Sequence, residues 1–286
     1  MRYPELNRGN NGEDVKLLQT WLNRVGAMLV ADGDFGGVTE RGVRYAQDIA
    51  EQPNTGTADE NLWSWLASTS EPSQNLATNG VAFIAREETG GLAYYHIVTR
   101  WPHFPGLSSG ITIGVGYDLR FNSEENFQNL WEEHLSPEIL DELSKDIGKP
   151  GTKKRVKELK KLGVEIPFKS AWPVFIDNTL PRYFSDTEVI YHSLARLPDL
   201  CRSVLVSIVF NRGNSLQGAR RIEMRAIRDI LLTADDLRLH KRKRKMILEN
   251  IEDQLISMQR LWEPSSGVYK RRQAEANLWR TGLNDW

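Results

Sequence analysis

Glu88 is the residue of this chain best placed to do acid chemistry. In "NGVAFIAREETGG", Asn79–Gly91, the residues Val81, Ile84, Ala85 and Glu88 stand at i, i+3, i+4 and i+7. One helical face is therefore apolar and ends in a carboxylate, while Glu87 falls on a different face with Phe83. Gly90 and Gly91 stop the helix. Partial burial and the helix C-terminus would both disfavour the carboxylate form, so a raised pKa is expected for Glu88. A carboxylic acid still protonated near neutral pH is what general-acid cleavage of an ether-like glycosidic bond requires. The alternative is an ordinary exposed glutamate at a helix end.

A second stretch could supply its partner. "SGITIGVGYDLR", Ser109–Arg120, alternates apolar residues with Thr112, Gly114, Gly116 and Asp118. On a regular strand these four share one face, and two glycines between a hydroxyl and a carboxylate would leave a shelf on which a sugar ring lies against the backbone. Gly114, Gly116 and Tyr117 are then substrate-binding candidates. Asp118 or Thr112 could hold a water or stabilise oxocarbenium charge. The other reading of the glycines is a hairpin turn, which is compatible with the first and would break the single-face arrangement.

These motifs need elements to position them. With 286 residues there is room for two domains, and 40% hydrophobic residues permit a sizeable core. Formal net charge is −1, so nothing global points to nucleic acid, and none is expected as a partner. Cys201 is the single cysteine, which rules out an internal disulfide and a cysteine-rich zinc site. The histidines, His96, His103, His134, His192 and His240, are scattered without ligand spacing, so neither metal nor cofactor is expected. The first residues, "MRYPELNRGNNGEDVK", show no apolar signal region, and the longest apolar run, Val204–Phe210, is too short to span a bilayer. A monomer without stable membrane insertion is expected. Nine tryptophans are many; indole faces suit carbohydrate, but most should pack in the core.

Residues 1–67 read as three helices: one carrying Val15, Leu18 and Leu22, one with Thr39 as its cap, and one capped by Thr57 with Leu62, Trp65 and Leu66 inward. Residues 68–79, small and polar with Pro72, have linker composition. Residues 80–286 form the rest, mainly helical with a short β-hairpin, so the fold class is mainly α with a minor β part. Asn211, near the end of the apolar helix in "SVLVSIVFNRG", either caps the helix or lines a cleft. The basic run His240–Met246 and the segment Gly148–Gly163 read as solvated surface.

"RGNNGEDVKLLQTWLN", "DGDFGGVTERGVRYAQ" and "TGTADENLWSWL" resemble the peptidoglycan-binding domain of bacterial and phage cell-wall enzymes. "REETGGLAYY" with "PHFPGLSSGITIGVGYDL" resembles the lysozyme-like muramidases, a family that includes phage-type lysozymes and the catalytic domain of pesticin. That resemblance implies Glu88, Thr112 and Asp118 as catalytic residues and Asn211 as a cleft residue. "SIVFNRGNSL" and "YKRRQAEANLW" resemble late helices of the same family. The segment "HIVTRWPHFPGLSSG" contains no aspartate, which favours the branch in which Asp118 takes the second role. The implied activity is hydrolysis of the β-1,4 bond between N-acetylmuramic acid and N-acetylglucosamine. The implied setting is a phage endolysin, made in the host cytoplasm and acting on peptidoglycan in the periplasm or wall. A lytic transglycosylase, an injected effector muramidase and a wall-binding protein without activity stand as alternatives.

Overall fold

Gln19 shows how the front of the chain is held. In the computed structural model, which describes residues 3–106 and 108–286, its amide nitrogen donates to Asp32 Oδ1 at 2.8 Å, to the Asp34 carbonyl at 3.0 Å and to Thr39 Oγ1 at 3.1 Å. Its carbonyl oxygen accepts from the Gly33 N–H at 2.8 Å. One side chain thus ties the Gly-rich turn to two helices, Glu13–Arg24 and Gly37–Ile49. Gly33 sits at φ +81°, and a Cβ there would stand 3.0 Å from the Gly12 carbonyl oxygen, so the turn admits glycine for two reasons. Gln47 does the same work one helix later, donating to Thr55 and to the Thr57 carbonyl and accepting from Gly56 N.

The front module is built on three helices. Its helices bury Val15, Leu18, Leu22, Val43, Ala46, Leu62 and Leu66 around Phe35. Two expected caps are replaced. Gly36, not Thr39, precedes the second helix, and Thr39 is instead buried inside it as a partner of Gln19. Asp59, not Thr57, caps the helix Glu60–Ser68, its carboxylate accepting from Leu62 N at 2.9 Å. A carboxylate is the stronger acceptor at a helix N-terminus, and Asp59 immediately precedes the first helical residue. The third helix buries Trp63 fully, with its indole N–H donating to the Pro4 carbonyl, while Trp65 is half-buried against the same core.

Two contact-dense units divide the chain. One combines the residues up to Pro72 with Ala85–Pro181; the other combines Ser73–Ile84 with Arg182–Trp286. Within the first, the front module is packed rather than hung on a string. Gly26, at φ +92°, lies where a Cβ would come within 2.8 Å of both Phe168 and Trp172. The Trp172 indole N–H donates to the Arg24 carbonyl at 3.3 Å, and Thr89 Oγ1 touches Met28 Sδ at 3.3 Å. Residues 69–77, inside the segment read as a linker, contain neither helix nor strand.

The second unit is built on the helix Asp199–Arg212, apolar on nearly every side and buried accordingly. Around it run Ile222–Ala234, Lys241–Ser257 and Gly267–Asn284. Gly282 lets the last helix approach Cys201, whose thiol is buried and pushed up in pKa by that burial. The chain is mainly helical, with one two-stranded antiparallel sheet among the described residues.

Candidate functional site

The helix Thr78–Thr89 carries Glu88 on its last turn. Val81, Ala82, Phe83, Ile84 and Ala85 are all buried, so this stretch is apolar all round rather than on one face. Only the final turn emerges. Glu87 and Glu88 are therefore both half-buried, and burial does not separate them as the helical spacing suggested. Glu87 has Arg86 beside it at 3.9 Å. The glycine stop is as expected: Gly90 and Gly91 adopt φ +81° and +86°, and Gly90 N donates to the Arg86 carbonyl.

The alternating stretch is a hairpin, not one continuous strand. Thr112–Ile113 pairs antiparallel with Tyr117–Asp118, and Gly114 and Gly116, at φ +56° and +76°, make the turn between them. Thr112 lies opposite Asp118, so hydroxyl and carboxylate share a face as cross-strand neighbours. His103 adds a third backbone: it exchanges both N–H···O bonds with Thr112, at 3.0 and 2.8 Å. A row His103–Thr112–Asp118 results, of which the histidine had carried no signal beyond its presence.

Gly114 leaves no open shelf. A Cβ on Gly114 would meet Ala171 and Trp131 at 3.1 Å each, so that side is filled by protein. Tyr117 is 3% exposed, with its ring edge-on to Trp131 at 5.5 Å, which leaves no face for a sugar. Gly114 and Tyr117 thus pack into the core of the hairpin instead of lying on an open face. Gly116 is half-buried.

The Asp118 carboxylate is fixed by the backbone. It accepts from Gly110 N at 3.0 and 3.1 Å and from Arg120 N at 2.9 Å, capping the short 3-10 helix Leu119–Phe121. Gly110 is required there, since a Cβ would stand 2.5 Å from Asp118 Oδ1. Thr112 Oγ1 is different. The residue is 6% exposed and its hydroxyl has no hydrogen-bond partner among the described residues. A buried hydroxyl left so costs about 1–3 kcal/mol, and it shares that state with the nearby Trp131 indole nitrogen. The His103 ring reaches solvent, yet the protein around it holds its pKa below the usual 6.5, with the Asp118 charge pulling the other way.

Asn211 belongs to the second unit. It is half-buried at the end of its helix, where its side-chain oxygen accepts from Arg272 at 3.5 Å, and it lines a pocket with Arg212 and Trp262. Gly213, at φ +74°, ends the helix. Sequence reasoning passed over Arg212 and Arg272, which look like solvated cations but are buried. For Arg212 a signal lay in its place at the end of an otherwise apolar helix; the polar helix that carries Arg272 offered none.

Comparison with known proteins agrees with part of this. Residues 11–66 match the family described as "Putative peptidoglycan binding domain". Residues 82–175, which include Glu88, His103, Thr112 and Asp118, match a domain of unknown function (DUF8812). No curated protein matches the chain. The match supports a modular, peptidoglycan-associated protein, with peptidoglycan as the partner that its front part suggests.

Proposed function

We propose that the chain is a peptidoglycan hydrolase that cuts the β-1,4 bond between N-acetylmuramic acid and N-acetylglucosamine. The observation that carries this reading is the row at the hairpin: a carboxylate held by two backbone N–H groups, opposite a buried hydroxyl without a partner, in the same chain as a peptidoglycan-binding type of module. In this reading Glu88 protonates the leaving oxygen. Asp118 and Thr112 then orient the water or steady the charge at the sugar. The resemblance to phage-type lysozymes supports the role of an endolysin that lyses a bacterial host.

The test is release of new reducing ends from purified sacculi, with mass spectrometry of the fragments. Glu88→Gln keeps shape but supplies no proton, and should lower turnover by about 10²–10⁴-fold. Glu87→Gln should leave it near normal. Equal losses in both variants would move the acid elsewhere.

One observation favours a second reading. The Asp118 carboxylate already serves the backbone, as a residue kept for structure would. In a lytic transglycosylase Glu88 acts essentially alone, and each product is lighter by one water than that of a hydrolase.

A further inference from the structure

The second unit gathers cations that its acids do not neutralise. A pocket of about 570 Å³ is lined by Asn211, Arg212, Gln217, Arg220, Arg221 and Trp262, among others. Arg212 is 8% exposed. Its guanidinium donates to Met224 Sδ and to the Arg220 carbonyl, and Arg221 donates to the Arg212 carbonyl. None of these three arginines has a carboxylate ion-pair partner among the described residues. The neighbouring acids are committed elsewhere: Glu223 to Arg260, and Glu275 to Arg271, Arg272 and Ser207.

The electrostatic strain is visible on the groups themselves. Burial, then Arg221 and Arg272, push the Arg212 pKa down to about 10, against a partial offset from Glu223. The Tyr191 hydroxyl, fully buried and without a hydrogen-bond partner, lies in the field of Arg212, Arg272 and Arg221. Like charges held together around a cavity destabilise a fold unless an anion comes between them. Trp262 forms one wall, its ring centre 5.1 Å from the Arg212 guanidinium carbon and 5.8 Å from that of Arg272.

We propose that this pocket binds a carboxylate of the stem peptide of peptidoglycan, gripped by Arg212, Arg220 and Arg221. The proposal rests on the peptidoglycan reading above. Guanidinium forks match a carboxylate in two-point geometry. The side-chain amides of Asn211 and Gln217 suit the amides of a peptide, which a phosphodiester polymer would not offer. Trp262 gives an adjoining alanine methyl or sugar face something to rest on.

Titration calorimetry of the full chain tests this with two soluble probes, a disaccharide-tetrapeptide and the same disaccharide without peptide. The wild type should bind the first at least ~10-fold more tightly, the scale of a lost charge-assisted contact. The double variant Arg220→Ala/Arg221→Ala should erase that preference while melting normally. Should the double variant unfold, Arg220→Ala alone, on an exposed side chain, must still reduce it. The proposal is overturned by a wild type without preference, by a preference the variants leave intact, or by one that survives amidation of the peptide carboxylates. It is also overturned if inorganic phosphate occupies the pocket and the tetrapeptide probe does not, which would assign it to a phosphate polymer. Cleavage of sacculi alongside any of these outcomes leaves the hydrolase reading standing. A chain that neither pellets with sacculi nor cuts them brings down both.

Discussion

Thr112 stands opposite Asp118 across the hairpin, and the two are treated in opposite ways by the fold: the carboxylate accepts from two backbone N–H groups and the hydroxyl has no hydrogen-bond partner among the described residues. Substitutions should separate them. Thr112→Val removes an unsatisfied group and keeps the shape, so melting temperature should hold or rise while sacculus cleavage falls. Asp118→Asn should lower stability by about 1–3 kcal/mol, since an amide accepts less well from Gly110 and Arg120. Urea unfolding beside reducing-end release distinguishes the two. Full cleavage by Thr112→Val would remove the hydroxyl from the chemistry.

Gly114→Ala should destabilise without altering any ligand affinity of the folded protein. The backbone is left-handed at φ +56°, and a Cβ would press on Ala171 and Trp131 at 3.1 Å. A left-handed alanine alone costs about 1–2 kcal/mol. Denaturant midpoints measure it, and a normal midpoint with weakened sacculus binding would restore Gly114 to the substrate surface.

Acid should loosen the fold through His103. Its pKa is held below 6.5 in the folded chain, so the unfolded chain takes up the proton first as pH falls. Stability is then lost from about pH 6.5 downward until the folded pKa is passed. His96 is lowered in the same direction, by burial and then by Arg100, so the difference between wild type and His103→Asn isolates one residue. The variant should lose less stability between pH 7 and pH 5. Asp118→Asn should lower the His103 pKa further, because it removes the opposing charge; the imidazole NMR shift reads this directly.

Trp172→Ala should cost about 3–5 kcal/mol and loosen the front module from its neighbour. The indole fills the space beside Gly26 and donates to the Arg24 carbonyl. Removing residues 1–70 should expose Phe168 and Trp172 and lower solubility. A truncated chain that melts and stays monomeric like the full one would show that this contact contributes little.

Much of the front module could be read from the sequence because its signals are local. Val15, Leu18 and Leu22 repeat at helical spacing, and the Gly-rich turn carries its own backbone requirement. One error there was between neighbours competing for one role, Asp59 against Thr57, where periodicity cannot choose; Trp63 joins Trp65 at the core and does not replace it. The hairpin was legible as a pattern but not as a geometry. Alternation over Ser109–Arg120 reads the same whether the chain runs straight or folds back at Gly114 and Gly116, and only the fold decides which way Tyr117 points. His103 and Arg212 were illegible for another reason. One gains its meaning from a backbone bridge nine residues away at Thr112, the other from burial among distant arginines.

The seat of Gly26 against Phe168 and Trp172 bears on how a polymer would be cut. A binding part on a loose tether samples many distances, and its products are scattered in size. Here the front module and the region carrying the hairpin belong to one contact-dense unit, so in the hydrolase proposed above the span from anchoring point to scissile bond would be set by the protein. Each landing on a glycan strand would then present the bond at the same offset. Early digestion products should cluster around one chain length, and Trp172→Ala should broaden that distribution before it slows the reaction.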